Sequence, residues 1–287
     1  MKPSPTTLEL RADALRLVLR PDLGGAIAGL WHGELPVLVS SSNALALGSP
    51  RQSGGFVLAP YSNRLGYRRF RWQGRDHTTL PNVDGGPHSL HGTAWRQPWA
   101  VRRADTAQAE LEYRHVADGH WPFDFTLVQQ IQLTPDALRI DLTLTNTASV
   151  AAPAGLGWHP FFPKRLRSRL HIELSDRWER DATTELPTRR VPQPGIDSDV
   201  AHLDFDNCFE GWRGAARIRD EKLSLKLSSS LPYLVVYTPQ TRDYFCVEPV
   251  SHVNNAIHMA DPAAHGLRTL QPGQAMDASF RLEVAAV

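Results

Sequence analysis

Apolar residues recur in this chain at every second position and hardly ever at the spacing of a helical face. Leu15, Leu17 and Leu19 alternate with Arg16, Val18 and Arg20, and Leu138, Ile140, Leu142 and Leu144 with Arg139, Asp141, Thr143 and Thr145. The same period returns over Leu127 to Leu133, in Leu223, Leu225 and Leu227, and in Phe280, Leu282 and Val284. Successive side chains of an extended strand point to opposite faces, so the pattern predicts strands with one face in a core and one in water. Turn-forming residues punctuate the runs at Pro21 to Gly25, Val83 to Pro87, Pro135 and Asp136, Pro192 to Gly195, and Gln271 to Gln274. A long helix would have to avoid 22 prolines spread over 287 residues, and no sustained 3.6-residue apolar stripe is present. The expected class is all-β, built from two or more packed sheets of mostly antiparallel strands. No Ser/Gly linker, composition shift or fixed-period repeat divides the sequence, which reads as one domain over residues 1–287.

Composition narrows the function. With 41% hydrophobic and 21% charged residues the chain can bury a core without metal or disulfide staples. A formal charge of +1, with both signs interspersed, lacks the one-sided basic field that nucleic acid binding requires. The opening residues have no signal-peptide core, and no stretch approaches the 18 or so unbroken apolar residues of a membrane span. Cys208 and Cys246, the two cysteines, are too few for a secreted disulfide scaffold. The expectation is a soluble, cytoplasmic protein, a monomer or weak homodimer, that handles a small molecule and contacts neither nucleic acid nor membrane.

Polar residues flanked by aromatics or glycine then suggest chemistry: Asn63 and Arg64 in APYSNRLGY, His91 in HSLHGTAW, His159 in GLGWHPFF, Asp206 in FDNCFEGW and Glu248 in CVEPVSH. Exchanging the anomers of an aldose needs a base at the O1 hydroxyl and an acid at ring oxygen O5, with roles reversed on closure. A carboxylate and an imidazole suit that task, because histidine titrates near neutrality and partial burial tunes a glutamate upward. Neither a metal nor an organic cofactor is required. Arg64 offers a rigid fork of donors to neighbouring hydroxyls, Asp206 accepts from two, and Asn63 can do both. Trp95, Trp99, Trp158 and Phe162 are candidates for the apolar platform beneath a pyranose.

These motifs, in order and approximate spacing over roughly residues 10 to 285, resemble those of the aldose 1-epimerase (galactose mutarotase) family: NR at Asn63 and Arg64, LHG around His91, GWHPFF around His159, DNCF around Asp206 and EP at Glu248. The resemblance implies a β-supersandwich with its site in a cleft on a concave sheet face. It further implies Glu248 as general base at O1, His159 as general acid at O5, His91 as a second donor there, and Arg64 and Asp206 as sugar binders. One departure concerns the second histidine: galactose mutarotases carry a pattern like NHSYFNL, whereas Trp158 and Pro160 flank His159 here.

Other readings stand beside this one. His88 and His91 form an HxxH that could seat a metal if a third ligand came from elsewhere. His252 and His258 follow Glu248 closely and read as supporting or loop residues. Basic clusters at Arg68, Arg69 and Arg71, and at Lys164, Arg165, Arg167 and Arg169, read as solvated strand faces or as contacts to a hexose 6-phosphate or 6-sulfonate. The alternative from another class is a non-catalytic sugar-binding or sensing module on the same scaffold.

Overall fold

The computed structural model describes residues 5–287, and among them the chain is all-β: strands joined by turns and six single-turn 3₁₀ segments, with no α-helix. No helix is long and apolar enough to cross a membrane. The larger sheet has eleven strands. Its path runs Leu8–Ala12, Leu15–Arg20, Ala26–His32, Gly55–Leu58, Gly157–Pro163, Tyr244–Val250, Tyr233–Tyr237, Asp206–Glu210, Asp176–Arg180 and Pro187–Pro192, with Leu35–Pro36 paired beside the third. A nine-stranded sheet runs Ala100–Ala104, Gln108–His115, Phe125–Thr134, Ala137–Asn146, Ala275–Ala286, Leu223–Ser229, Ala215–Arg219, Arg169–Ile172 and Ile196–Asp199. Three two-stranded ribbons complete the strand pairing, and every ladder between strands is antiparallel.

The inner faces of the two large sheets make the main core. From the nine-stranded sheet come Leu127, Ile140, Leu142, Phe280 and Leu282; from the eleven-stranded sheet come Leu17, Trp158, Phe162, Phe209 and Phe245. Each such side chain contributes roughly 1.5–3 kcal/mol when fully withdrawn from water. Phe125–Thr134 shows the expected alternation, buried residues inward and partly exposed ones outward. Leu15–Arg20 departs from it, because both of its faces are buried. On its outer face Val18 packs with Ala28 and Trp31 against Ala44 and Leu47. Arg20, only 2% exposed, is fixed there by a 2.7 Å ion pair to Asp22 and by donation to the Ala44 carbonyl.

A second, smaller apolar cluster lies on the other face of the eleven-stranded sheet. It contains Phe56, Leu58, Phe161, Cys208, Val235, Cys246 and Val250, backed by Trp95. That face carries the cleft.

Candidate active site

Strand register brings His159 and Glu248 together. In the ladder between Gly157–Pro163 and Tyr244–Val250, Gly157 pairs with Val250 and Phe161 with Cys246, so His159 falls opposite Glu248. Both side chains point to the cleft face, and His159 Nε2 lies 3.3 Å from Glu248 Oε1. The imidazole packs against two phenyl rings, 4.5 Å from Phe161 and 4.8 Å from Phe56 between centroids. Glu248 is 3% exposed, and among the described residues neither its Oε2 nor the Nδ1 of His159 has a hydrogen-bond partner.

His91 arrives from a loop. The Asn63 N–H donates to His91 Nδ1 at 3.1 Å, and the His91 N–H donates to the Asn63 carbonyl at 2.8 Å. An accepting Nδ1 places the proton of the neutral ring on Nε2, making that nitrogen a donor. Asn63 and His91 both have left-handed backbones, with φ of 57° and 61°. Gly92 follows at φ 70°, and a Cβ there would lie 2.1 Å from the Ala59 carbonyl oxygen. Only glycine permits that approach. The two rings, His91 and His159, are 5.2 Å apart and nearly perpendicular.

Opposite these residues lies a charge cluster. Arg64 pairs with Glu185 at 2.6 Å and approaches Asp206 at 3.8 Å, while Arg180 reaches the same two carboxylates at 3.1 and 3.6 Å. Asn63 Oδ1 accepts from the Arg64 backbone and guanidinium at 2.9 and 3.3 Å. Burial works against charge on Glu185, but the Arg64 and Arg180 guanidiniums outweigh it and hold the carboxyl below its ordinary value.

Burial acts oppositely on the carboxyl and the imidazoles of the floor. It raises Glu248 well above the usual carboxylate range, reinforced by Asp206 and partly offset by Arg64. It lowers His159 to about 3, with Arg51 adding to the effect, and lowers His91 well below the usual imidazole value, helped by His159, Arg64 and Arg51. At 3.3 Å an ion pair is geometrically open, but a dry site penalises net charge on either group. Burial thus favours the uncharged form of both groups.

The cavity enclosed is about 230 Å³, and it brings together Asn63, Arg64, His91, His159, Asp206 and Glu248. All four expected aromatics are elsewhere. Trp158 and Phe162 flank His159 by an odd number of residues, so they point through the sheet into the main core, where Trp158 meets Phe280 at 5.9 Å. Trp95 stacks behind Phe56 at 5.2 Å, and Trp99 is buried in the main core with its indole N–H on the Ala94 carbonyl. The aromatic lining comes instead from Phe56, Phe161, Tyr237 and Tyr244. Phe161 was legible: it stands two residues from His159, on the same face.

Neither sequence cluster of basic residues lines the cavity. Arg165 is held by Asp220, Arg169 by Asp197 and Asp199, and Arg71 by Asp76, while Lys164 donates to the Pro239 carbonyl. The guanidiniums that do line it besides Arg64 are Arg51 and Arg242, which no motif marked. His88 is occupied, its Nδ1 accepting from the Tyr67 N–H and its Nε2 against the Thr184 carbonyl. His252 accepts from the Ser62 N–H and so steadies the residue before Asn63.

One trio could hold a metal by donor type: His159, Cys246 and Glu248, whose ligand atoms lie within 4.8 Å of one another. Burial and the neighbouring Glu248 and Asp206 push the Cys246 thiol well above its ordinary value, whereas ligation needs the thiolate.

The chain is similar to known proteins over nearly its whole length. The family model described as aldose 1-epimerase matches residues 6–283. The uncharacterized protein YphB of Escherichia coli K12 is 31% identical over 281 residues, covering 92% of this chain and 93% of that protein. A crystal structure of a provisionally assigned aldose 1-epimerase from Escherichia coli K12 superposes with a TM-score of 0.87 at 27% identity, over 99% of this chain and 100% of the other. A galactose mutarotase-like protein from Clostridium acetobutylicum shares the fold at a TM-score of 0.85 and 19% identity, over 98% and 95% of the two chains.

Proposed function

Because this chain belongs to the aldose 1-epimerase family, we propose that it is a cofactor-independent mutarotase, interconverting the α and β anomers of an aldohexose by acid–base ring opening and closure. The observation that carries the reading is the 3.3 Å contact between His159 Nε2 and Glu248 Oε1 on a buried floor. O1 and O5 of a pyranose are bonded to the same carbon, so the groups that serve them must be near neighbours. In the charge-separated form of the pair, Glu248 takes the O1 proton while His159 gives one to O5, the ring C–O bond breaks, and C1 is free to rotate. Closure on the other face returns both protons. His91, held with its proton on Nε2, supplies a second hydrogen bond to O5. Arg64, Asp206 and Asn63 bind ring hydroxyls, and Phe56 and Phe161 offer apolar surface to the C–H face.

The meeting of a carboxylate and an imidazole at one point of the cleft favours catalysis over mere sugar binding, since binding alone needs no acid and base poised at one bond. Freshly dissolved pure anomers of glucose, galactose and 6-anionic hexoses, followed by polarimetry or proton NMR, test the reading. Faster relaxation with protein supports it; no acceleration for any sugar of the panel overturns it.

A further inference from the structure

The acids and bases of the cleft do not all find partners. Arg64 and Arg180 share Glu185 and Asp206, and Glu248 is paired with His159. Arg51 and Arg242 line the same cavity, yet among the described residues neither has a carboxylate oxygen within 4.0 Å. Acids stand nearby without engaging them: Asp243 is next to Arg242 in the chain, and Asp84 lines a neighbouring cavity that shares Arg51. Tyr244 lines the cavity together with both guanidiniums, and Arg242 precedes it by two residues in the chain.

Tyr244 lies further along the cleft wall from Glu248. It stands on the same strand and face as Glu248, four residues away, which is about 13 Å of extended chain. Phe161 and Tyr237 pack against Tyr244 at 5.2 and 6.5 Å, so the wall between acid–base pair and cations is aromatic. A pyranose on that wall, its anomeric carbon at Glu248 and His159, directs a substituent remote from C1 toward the two arginines.

We infer that Arg51 and Arg242 form an anion-recognising end of the cleft and select hexoses that carry a phosphate, sulfonate or carboxylate at the carbon farthest from the anomeric centre. This deepens the mutarotase reading and rests on it for its chemistry. A guanidinium fork binds such oxyanions through paired N–H donors. Both side chains are exposed at the mouth, so recognition adds no buried charge to the resting fold.

The test compares kcat/KM for glucose, glucuronate, glucose 6-phosphate and 6-deoxy-6-sulfoglucose in the wild type and in Arg51→Gln, Arg242→Gln and the double variant. The wild type should favour at least one anionic sugar over glucose by tenfold or more, and the double variant should lose at least tenfold in that ratio. The preferred sugar identifies the anion. Raising the ionic strength should narrow the wild-type preference. Equal rates on neutral and anionic sugars, or a ratio unaltered in the double variant, would overturn the assignment while leaving the mutarotase reading intact. Titration calorimetry of Glu248→Gln with the same sugars reads the anion preference without turnover, so failure of catalysis and failure of anion recognition give different results.

Discussion

Replacing Glu248 by glutamine should separate catalysis from stability and move the two in opposite directions. The substitution conserves volume and keeps an oxygen toward the cleft, but it removes the one carboxylate that lies beside His159. Asp206 and Glu185, the other carboxylates of the cavity, are engaged by Arg64 and Arg180 and cannot take over. Loss of a positioned base costs roughly 10² to 10⁴ in turnover, or about 3–5 kcal/mol of barrier. Binding should change little. Stability follows linkage: the folded carboxyl titrates well above 4.5, so the folded state keeps a proton the unfolded chain has released. Wild-type stability therefore falls, relative to the glutamine variant, as pH rises from about 4.5 through the raised folded value. The variant should melt higher than wild type at pH 8, with the difference shrinking toward pH 4. Anomer exchange by NMR and thermal melts across pH measure both quantities. A variant retaining more than a tenth of wild-type kcat/KM, or melting lower at alkaline pH with its fold intact, would refute the reasoning.

His159→Asn should lower turnover by a similar factor in anomer-exchange assays, since the imidazole beside Glu248 is then gone. His159, His91 and His252 are all lowered, chiefly by burial, so the folded protein should lose stability as pH falls from about 6.5 toward 4, where only the unfolded chain takes up these protons; melts over that range check it. Trp158→Ala should cost about 3–5 kcal/mol in denaturant titrations, provided the sheets stay assembled, while KM stays within about twofold, since the ring faces the inter-sheet core. Phe161→Leu should instead raise KM several-fold with a smaller loss of stability, because that ring lines the cleft. Gly92→Ala should destabilise by about 2 kcal/mol or more and lower turnover with it, as the new Cβ meets the Ala59 carbonyl beside His91.

The all-β class, the strand positions and the polar residues of the candidate site were legible because each is written in local order. Period two in Leu127 to Leu133 needs no partner to be recognised, and an acid, two imidazoles and a guanidinium declare their chemistry wherever they sit. The same period, applied to GWHPFF, separates Phe161 from Trp158 and Phe162; aromatic character alone placed the wrong rings in the cleft. Nothing local could have brought in Glu185 from a turn, or Arg51 and Arg242 from segments 191 positions apart in the chain. Nor does composition distinguish Arg165, neutralised by Asp220, from an arginine left without a carboxylate. Chemical identity and strand periodicity belong to the chain itself. Which groups share a face, which charges are cancelled, and how far burial drives Glu248 and His159 toward neutrality arise only when distant strands pair in register and exclude water between them.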